Sequence, residues 1–147
     1  MRGWVAAVVA VALAVVVLGV AVIAVVAGSG GSTPLVELEV GDCFDLPADG
    51  SDDTVAEVDL IDCEEPHLAE VVFVGSLNEG DDPYPPDDEL FAAVELACRR
   101  ADVVASDAYG LLPIAPTPEL WASFDGRFLC VAVPFGGQPV TGSARSG

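Results

Sequence analysis

The most constraining feature of this sequence is an uncharged, apolar stretch close to the N-terminus. Residues 4–27 read WVAAVVAVALAVVVLGVAVIAVVA and contain neither a charged residue nor a proline. At about 1.5 Å per residue, a helix of this length crosses the hydrocarbon layer of roughly 30 Å. Lipid offers no partners for backbone N–H and C=O groups, so a spanning segment must be helical despite its β-branched valines. We therefore predict a transmembrane helix over residues 4–27, in direct contact with the lipid bilayer.

The charges on either side of this helix predict its orientation. Arg2 is the only charged side chain before it, and every acidic residue follows it. The positive-inside rule places residues 1–3 in the cytoplasm and the chain from residue 28 onward outside the cell membrane. The alternative is a cleaved signal peptide, with Val25 and Ala27 as small residues near the cleavage site. The apolar region of a signal peptide usually has about 7–15 residues, so the length favours a retained signal anchor.

The exported part of the chain is strongly acidic. It carries all 24 acidic residues against four of the five arginines, which gives a formal charge of −20. Such a surface repels nucleic acid and anionic lipid head groups, and it favours solubility, cations or a basic protein partner. Solvated surfaces often have this composition, so the charge alone identifies no ligand.

Four cysteines, all in the exported part, predict a disulfide-bonded domain. An even number of cysteines outside the cell is typical of a disulfide framework, and four allow three connectivities. A domain of this size buries a modest core, so cross-links add substantially to its stability. We favour Cys43 with Cys63 and Cys98 with Cys130, because each pair joins segments that we predict to be adjacent.

The remaining pattern predicts a small α+β fold after a flexible Gly/Ser linker over residues 28–34. Alternating or continuous apolar residues indicate strands. We place them at residues 35–40, with Val36, Leu38 and Val40 on one side, and at residues 54–63, 68–75 and 127–133. Acidic residues 87–89 begin the main helix, with Phe91, Val94, Cys98 and Ala101 at helical spacing.

Three other segments carry weaker signals. The prolines of LLPIAPTP at residues 111–118 make that segment irregular or extended. Trp121, Phe124 and Phe128 form an aromatic cluster, and we expect Trp121 to be a core residue rather than a ligand-stacking surface residue. The tail at residues 136–147 is predicted to be a loop or a frayed end.

The residues with most potential for chemistry lie in DCEEPHLAEV, residues 62–71, which holds the only histidine. A zinc site would use Cys63, His67 and Cys43, but it needs thiolates, which an exported location disfavours. A hydrolase would use His67 as a general base oriented by Glu65 or Glu70. No GxSxG, SxxK or free-cysteine signature supplies the nucleophile. Pro66 makes this stretch a turn, which His67 would hold by bonding to backbone groups.

A third alternative is weak calcium binding by the acidic loop after Cys43. Residues 45–56 place acids at positions 1, 5 and 9 and a glycine at position 6 of an EF-hand loop. Position 12 is Ala56, where a bidentate glutamate is needed. A solvated acidic loop is the simpler interpretation.

Several short motifs occur in a fixed order along the exported domain. They are GDCF at 41–44, CEEPHLAEV at 63–71, Cys98, PTPELW at 116–121, Gly126 with Arg127, Cys130, and TGS at 141–143. This ordered set, which covers residues 40–143, resembles the septum formation family of actinobacterial envelope proteins. The resemblance implies a role in cell division or septum formation. It implies no catalytic activity, cofactor or ligand for any residue, and it favours the cysteines and His67 as parts of a scaffold.

Together these features predict a single-pass membrane protein whose extracytoplasmic domain, residues 35–147, is an accessory or interaction module of the cell envelope. We expect no enzymatic activity, no cofactor and no metal. Candidate interaction surfaces are the acidic loops at residues 49–53 and 81–88 and the corner at Pro66 and His67. The candidate interaction residues are Glu64, Glu65, Pro66, His67, Glu70, Asp81 and Asp82.

Overall fold

A computed structural model describes residues 31–46, 57–100 and 108–145 of this chain. Residues 32–147 form a separate compact unit from residues 1–31. The strands of this unit are β1 (Ser32–Pro34), β2 (Cys43–Phe44), β3 (Glu57–Ile61), β4 (Ala69–Ser76), β5 (Tyr109–Ile114) and β6 (Arg127–Pro134). The helices are α1 (Asp87–Arg100) and the short α2 (Pro118–Ser123), and a 3₁₀ turn covers Leu35–Glu37.

The six strands form one antiparallel sheet in the order β1-β3-β2-β4-β6-β5. The longest strands, β4 and β6, are neighbours at its centre. Strand β5 contains Pro113 and lies at the edge, where a missing N–H donor is tolerated. The prediction of an α+β fold with an antiparallel sheet and one main helix is confirmed.

Each face of the sheet has its own cluster of buried side chains, because neighbouring residues of a strand point to opposite faces. On one face, Phe128, Cys130 and Ala132 of β6 pack with Leu90, Val94 and Cys98 of α1. On the other, Leu129 and Val131 of β6 pack with Leu38, Phe44 and Val71. Helix α1 therefore covers only the first face.

Two disulfides cross-link the domain in the pairing that the sequence favoured. Cys43 is bonded to Cys63, and Cys98 of α1 is bonded to Cys130 of β6. No free cysteine remains among the described residues, which include all four cysteines. The second disulfide is fully enclosed, since Cys98 and Cys130 are both buried.

The predictions for the start of the domain were wrong in two respects. Residues 32–34, assigned to a flexible linker, form β1 and pair with β3, and Ser32 Oγ donates to Glu57 Oε2 at 2.8 Å. Residues 35–40 do not form a strand, because the chain turns after Pro34 into the 3₁₀ turn. The turn breaks the two-residue alternation, so Leu38 is fully buried while Val40 is 41% exposed.

Two side chains, one short helix and the tail also differ from prediction. Phe91 of α1 is 54% exposed, because the buried stripe of the helix is Leu90, Val94 and Cys98. Phe124 lies outside the aromatic core at 38% exposure, whereas Trp121 and Phe128 are buried. Residues 118–123, for which no helix was predicted, form α2. The tail is bonded into the domain, as described below.

Among the described residues, no helix has the length and hydropathy needed to span a membrane. The predicted transmembrane helix at residues 4–27 lies outside the described residues, as do the acidic loop at 49–53 and most of the calcium-loop match at 45–56.

Candidate functional site

The stretch CEEPH forms a tight corner between β3 and β4, and two hydrogen bonds to Asp62 stabilise it. The Asp62 carboxylate accepts the Glu64 N–H at 3.0 Å, and its backbone carbonyl accepts the Glu65 N–H at 2.8 Å. An aspartate side chain bonded two residues ahead mimics a backbone turn. Pro66 then directs the chain into His67 and β4, so Glu64, Glu65 and Pro66 are exposed at the corner.

His67 lies inside this corner rather than on its surface. Its side chain is 1% exposed, and Nδ1 donates to the backbone carbonyl of Glu65 at 2.9 Å, because a carbonyl oxygen only accepts. Its backbone forms a two-way bridge with Val140, each N–H donating to the other's carbonyl at 2.9 Å. His67 therefore ties the corner to the C-terminal tail. The prediction that His67 holds the turn by bonding to backbone groups is confirmed. Because the side chain is enclosed, it presents no surface to a partner in this structure.

Glu70 is also buried, at 1% exposure, and it holds the tail from the centre of the sheet. Ser143 Oγ donates to Glu70 Oε1 at 2.7 Å, and the Ala144 N–H donates to Oε2. The Arg145 N–H donates to Ser143 Oγ at 3.1 Å, which extends the chain of bonds. Because a carboxylate in the core needs donors, this network explains both the buried Glu70 and the ordered tail. Glu70, a candidate interaction residue, is thus enclosed like His67.

The same place brings together three potential metal ligands. One ligand atom from each of Cys43, His67 and Glu70 lies within 4.8 Å of the others. Zinc binds a cysteine as the thiolate. The Cys43 sulfur is bonded to Cys63, so the oxidised domain offers only two of these three ligands. The donor set therefore fits a cross-linked scaffold better than a metal site.

The arrangement of Ser143, Glu70 and His67 does not have the geometry of a catalytic triad. In a triad, the imidazole lies between the nucleophile and the acid. Here the serine hydroxyl donates directly to the acid, and His67 Nδ1 donates to a backbone carbonyl instead. The histidine is neither bonded to the hydroxyl nor oriented by the carboxylate. Each group instead satisfies a buried partner.

A second feature is the acidic loop between β4 and α1, which is held in place by aromatic residues. The Trp121 Nε1–H donates to the Asp82 carbonyl at 2.8 Å, and the Tyr84 ring meets the Trp121 ring edge-on at 5.8 Å between centroids. Tyr84 Oη donates to Asp87 Oδ1 at 3.0 Å. The predicted contacts Asp81 and Asp82 are both exposed on this loop.

The tyrosine remains a hydrogen-bond donor at neutral pH. Burial raises the pKa of the Tyr84 phenol above its ordinary value, and the bond to Asp87 and the nearby negative charges of Asp87 and Glu119 raise the pKa further. The phenol therefore keeps its proton, and remains able to donate to Asp87, throughout the physiological pH range.

Beside this loop is a cleft of about 310 Å³, which we call the acidic cleft. Its lining includes the acidic residues Asp82 and Glu89 and the aromatic residue Trp121. Carboxylates with an aromatic face are groups that attract an arginine or lysine side chain. Its other walls are apolar, formed by residues that include Pro83, Pro85 and Ala93.

A further concave feature lies on the sheet face that α1 does not cover, and we call it the apolar cavity. Its volume is about 490 Å³. Apolar residues dominate its walls, and one charged residue, Arg127, lines it. The walls come from the 3₁₀ turn, β5, α2 and β6, with Leu35, Leu46, Leu112, Ile114, Leu120 and Leu129 among the lining residues.

Only one of the three guanidinium nitrogens of Arg127 has a hydrogen-bond partner among the described residues. Its Nη2 donates to the backbone carbonyl of Leu38 at 2.6 Å, while its Nε is buried without a hydrogen-bond partner. Leaving a buried donor unpaired costs about 1–3 kcal/mol. Among the described residues, the only ion pair is Glu95 with Arg99, so no described carboxylate neutralises Arg127.

Sequence reasoning missed this cavity and the residues that fix the tail. Arg127 was noted as the start of a strand and as part of a short motif with Gly126, but not as a site residue, although it is the one charged residue in RFLCVAVP. An arginine as the first residue of a strand that is otherwise apolar indicates a charged side chain that is partly buried. Ser143 and Ala144 gave no signal of their own beyond the TGS motif, because their partner Glu70 is more than 70 residues away, at separations of 73 and 74.

Comparisons with models of known protein families, with curated proteins and with solved structures gave no significant match. The function therefore has to be argued from the geometry of this domain.

Proposed function

We propose that this protein is a membrane-anchored, non-enzymatic interaction module that works outside the cell membrane, in septum formation or another part of envelope biology. Residues 4–27 would be its single transmembrane helix, with the N-terminus in the cytoplasm. The uncharged apolar stretch supports the anchor. The motif order that resembles the septum formation family supports the setting.

The acidic cleft is the observation that carries the interaction role. Its lining combines two acidic residues, Asp82 and Glu89, with Trp121, and hydrogen bonds to Trp121 and Asp87 tie down the loop beside it. An ordered site avoids much of the entropy cost of binding. The formal charge of −19 would also attract a basic partner over longer distances. We infer that an arginine or lysine of such a partner enters the cleft.

Neutralising the cleft should weaken binding of a basic peptide. For the paired change Asp82→Asn with Glu89→Gln, we expect affinity for a pentaarginine peptide to fall by about fivefold to tenfold, since the two exposed ion pairs that are lost together contribute about 1–1.4 kcal/mol. The full chain in nanodiscs of neutral phosphatidylcholine, titrated by fluorescence anisotropy, provides the measurement.

The matched control is Glu57→Gln with Asp59→Asn, which removes the same charge from exposed positions of β3. This control should change affinity by less than twofold. Equal losses in both pairs would mean that only the overall charge matters, and the cleft would be rejected as the contact. If Glu64→Gln with Glu65→Gln had the larger effect, the contact would lie at the CEEPH corner instead.

His67 distinguishes this proposal from an exported hydrolase. We expect His67→Ala to lower the free energy of unfolding by about 2–3 kcal/mol, because a buried ring and its bond to the Glu65 carbonyl are lost. Urea unfolding compared with the exposed variant Glu65→Ala measures the effect. A His67→Ala protein of unchanged stability that fails to support the envelope phenotype would favour the enzyme.

A further inference from the structure

The apolar cavity combines a large apolar wall with a single positive charge. Its volume of about 490 Å³ lies within the usual range of small-molecule sites, roughly 300–1,000 Å³. The sheet provides Leu112, Ile114 and Leu129, and the 3₁₀ turn provides Leu35 and Val36. Uncovered apolar surface of this kind favours a hydrocarbon occupant.

Arg127 adds a requirement for an anion. Its Nη2 is bonded to the Leu38 carbonyl, its Nε–H has no partner, and no carboxylate of the described residues lies within the 4.0 Å that defines an ion pair. Because Nε is fully buried, an anion in the cavity would reach the guanidinium through its terminal nitrogens, of which Nη1 has no hydrogen-bond partner among the described residues. A half-buried charge with an unpaired terminal donor is unfavourable until an anion binds to it. A carboxylate suits the planar fork of an arginine particularly well.

We propose that the apolar cavity binds a long-chain fatty acid, with its carboxylate on Arg127 and its alkyl chain between β5 and the Leu35–Glu37 turn. This site is separate from the acidic cleft, and the proposal does not depend on the basic partner. It would give the domain a lipid-derived ligand in addition to a protein contact.

Other occupants match the cavity less well. A peptide carries an N–H and a C=O at nearly every residue, and the mainly apolar walls offer few partners for them. A phosphate head group carries more charge and more acceptor oxygens than one half-bonded arginine can satisfy. A fatty acid has one carboxylate and an otherwise apolar body, which matches the single charge of the wall.

The net charge of the protein gives this site a distinct salt dependence. A formal charge of −19 repels an anion at a distance, and salt screens that repulsion. Binding of the fatty acid should therefore strengthen as the salt concentration rises, whereas binding of a basic peptide to the acidic cleft should weaken.

Photoaffinity labelling tests the proposal on the full chain in nanodiscs of neutral phosphatidylcholine. The probe is a palmitic acid analogue with a diazirine on its alkyl chain, and the labelled residues are mapped by mass spectrometry. We expect labelling of peptides from the cavity wall, including β5. The alcohol that corresponds to the same probe should label these peptides about tenfold to hundredfold less at equal concentration, because it lacks the charge-assisted hydrogen bonds.

Arginine variants test the role of the charge. Arg127→Gln should reduce labelling by the acid about tenfold or more and leave labelling by the alcohol unchanged. Arg145→Gln makes the same charge change at an exposed position of the tail and should have no effect. Because Arg127 also holds the Leu38 carbonyl, thermal unfolding of each variant is recorded alongside. Arg127→Lys, which keeps the charge but loses the fork, should give intermediate labelling.

Three results would overturn the proposal. The first is equal labelling by acid and alcohol in the unaltered chain. This comparison does not depend on whether any variant folds. The second is labelling confined to residues 1–31 and absent from the cavity wall. The third is at least tenfold stronger competition by an alkyl phosphate than by palmitic acid, which would identify a phosphate ligand instead.

Discussion

Replacing Cys98 and Cys130 together by alanine is expected to lower the free energy of unfolding by about 4 kcal/mol. This disulfide joins residues 32 apart in sequence, and it links α1 to the centre of β6. In the chain-entropy account, a cross-link of this span restricts the unfolded chain by roughly 3–4 kcal/mol. Removing both buried sulfur atoms also leaves a small cavity beneath the helix, which adds to the loss.

Urea unfolding of the full chain in nanodiscs measures this loss. Trp121 is a suitable probe in a Trp4→Phe background, because the chain has only these two tryptophans. The matched variant is Cys43→Ala with Cys63→Ala, which opens a loop with a separation of 20 residues and should cost about 3 kcal/mol. A loss below about 1 kcal/mol for the Cys98 pair would mean that packing alone holds α1 on the sheet.

Replacing Glu70 by alanine is expected to destabilise the domain by about 3 kcal/mol and to release its C-terminal tail. The change removes the acceptor of the Ser143 hydroxyl and of the Ala144 N–H, and hydrogen bonds to a charged group contribute about 1.5–3 kcal/mol each. The cost of burying a carboxylate, which the alanine relieves, offsets part of that sum. Glu70 lies on a central strand, so the effect should reach the paired β6 as well.

Two controls identify the contribution of the tail. Ser143→Ala removes one of the two donors and should cost about 1 kcal/mol, while Glu64→Ala at the exposed corner should cost less than about 0.5 kcal/mol. Hydrogen exchange at the Val140 and Ala144 amides reports the release directly. Slow exchange of both amides in Glu70→Ala would contradict the assignment, because it would mean that other contacts hold the tail.

The parts of the fold that depend on local pattern were predictable from sequence. The apolar run VVFV and the strand before Pro134 have the continuous hydrophobicity of central strands, and the acidic first turn of α1 marks a helix start. The disulfide pairing followed from the adjacency of the predicted elements. In each case a few neighbouring residues carry the information.

The parts that depend on distant residues were not predictable. The burial of Glu70 and His67 was not predicted, because their hydrogen-bond partners include residues 140–144, which are distant in sequence. Likewise the apolar cavity forms where the 3₁₀ turn, β5 and β6 meet, and no single segment indicates it. The turn itself replaced a predicted strand because Pro34 changed the direction of the chain.

The bond between Glu70 and the tail also has a consequence for the order of events during synthesis. A ribosome makes Glu70 early, but the Ser143 and Ala144 donors follow 73 and 74 residues later. Until they emerge, the central strand carries a carboxylate that no completed segment can satisfy, so the sheet cannot reach its final free energy on a partial chain. Completion of the sheet therefore requires the last segment of the chain. Contacts between residues so far apart in sequence are typical of slow folding. A chain truncated before residue 143 would retain most of its core residues and still lack a stable centre.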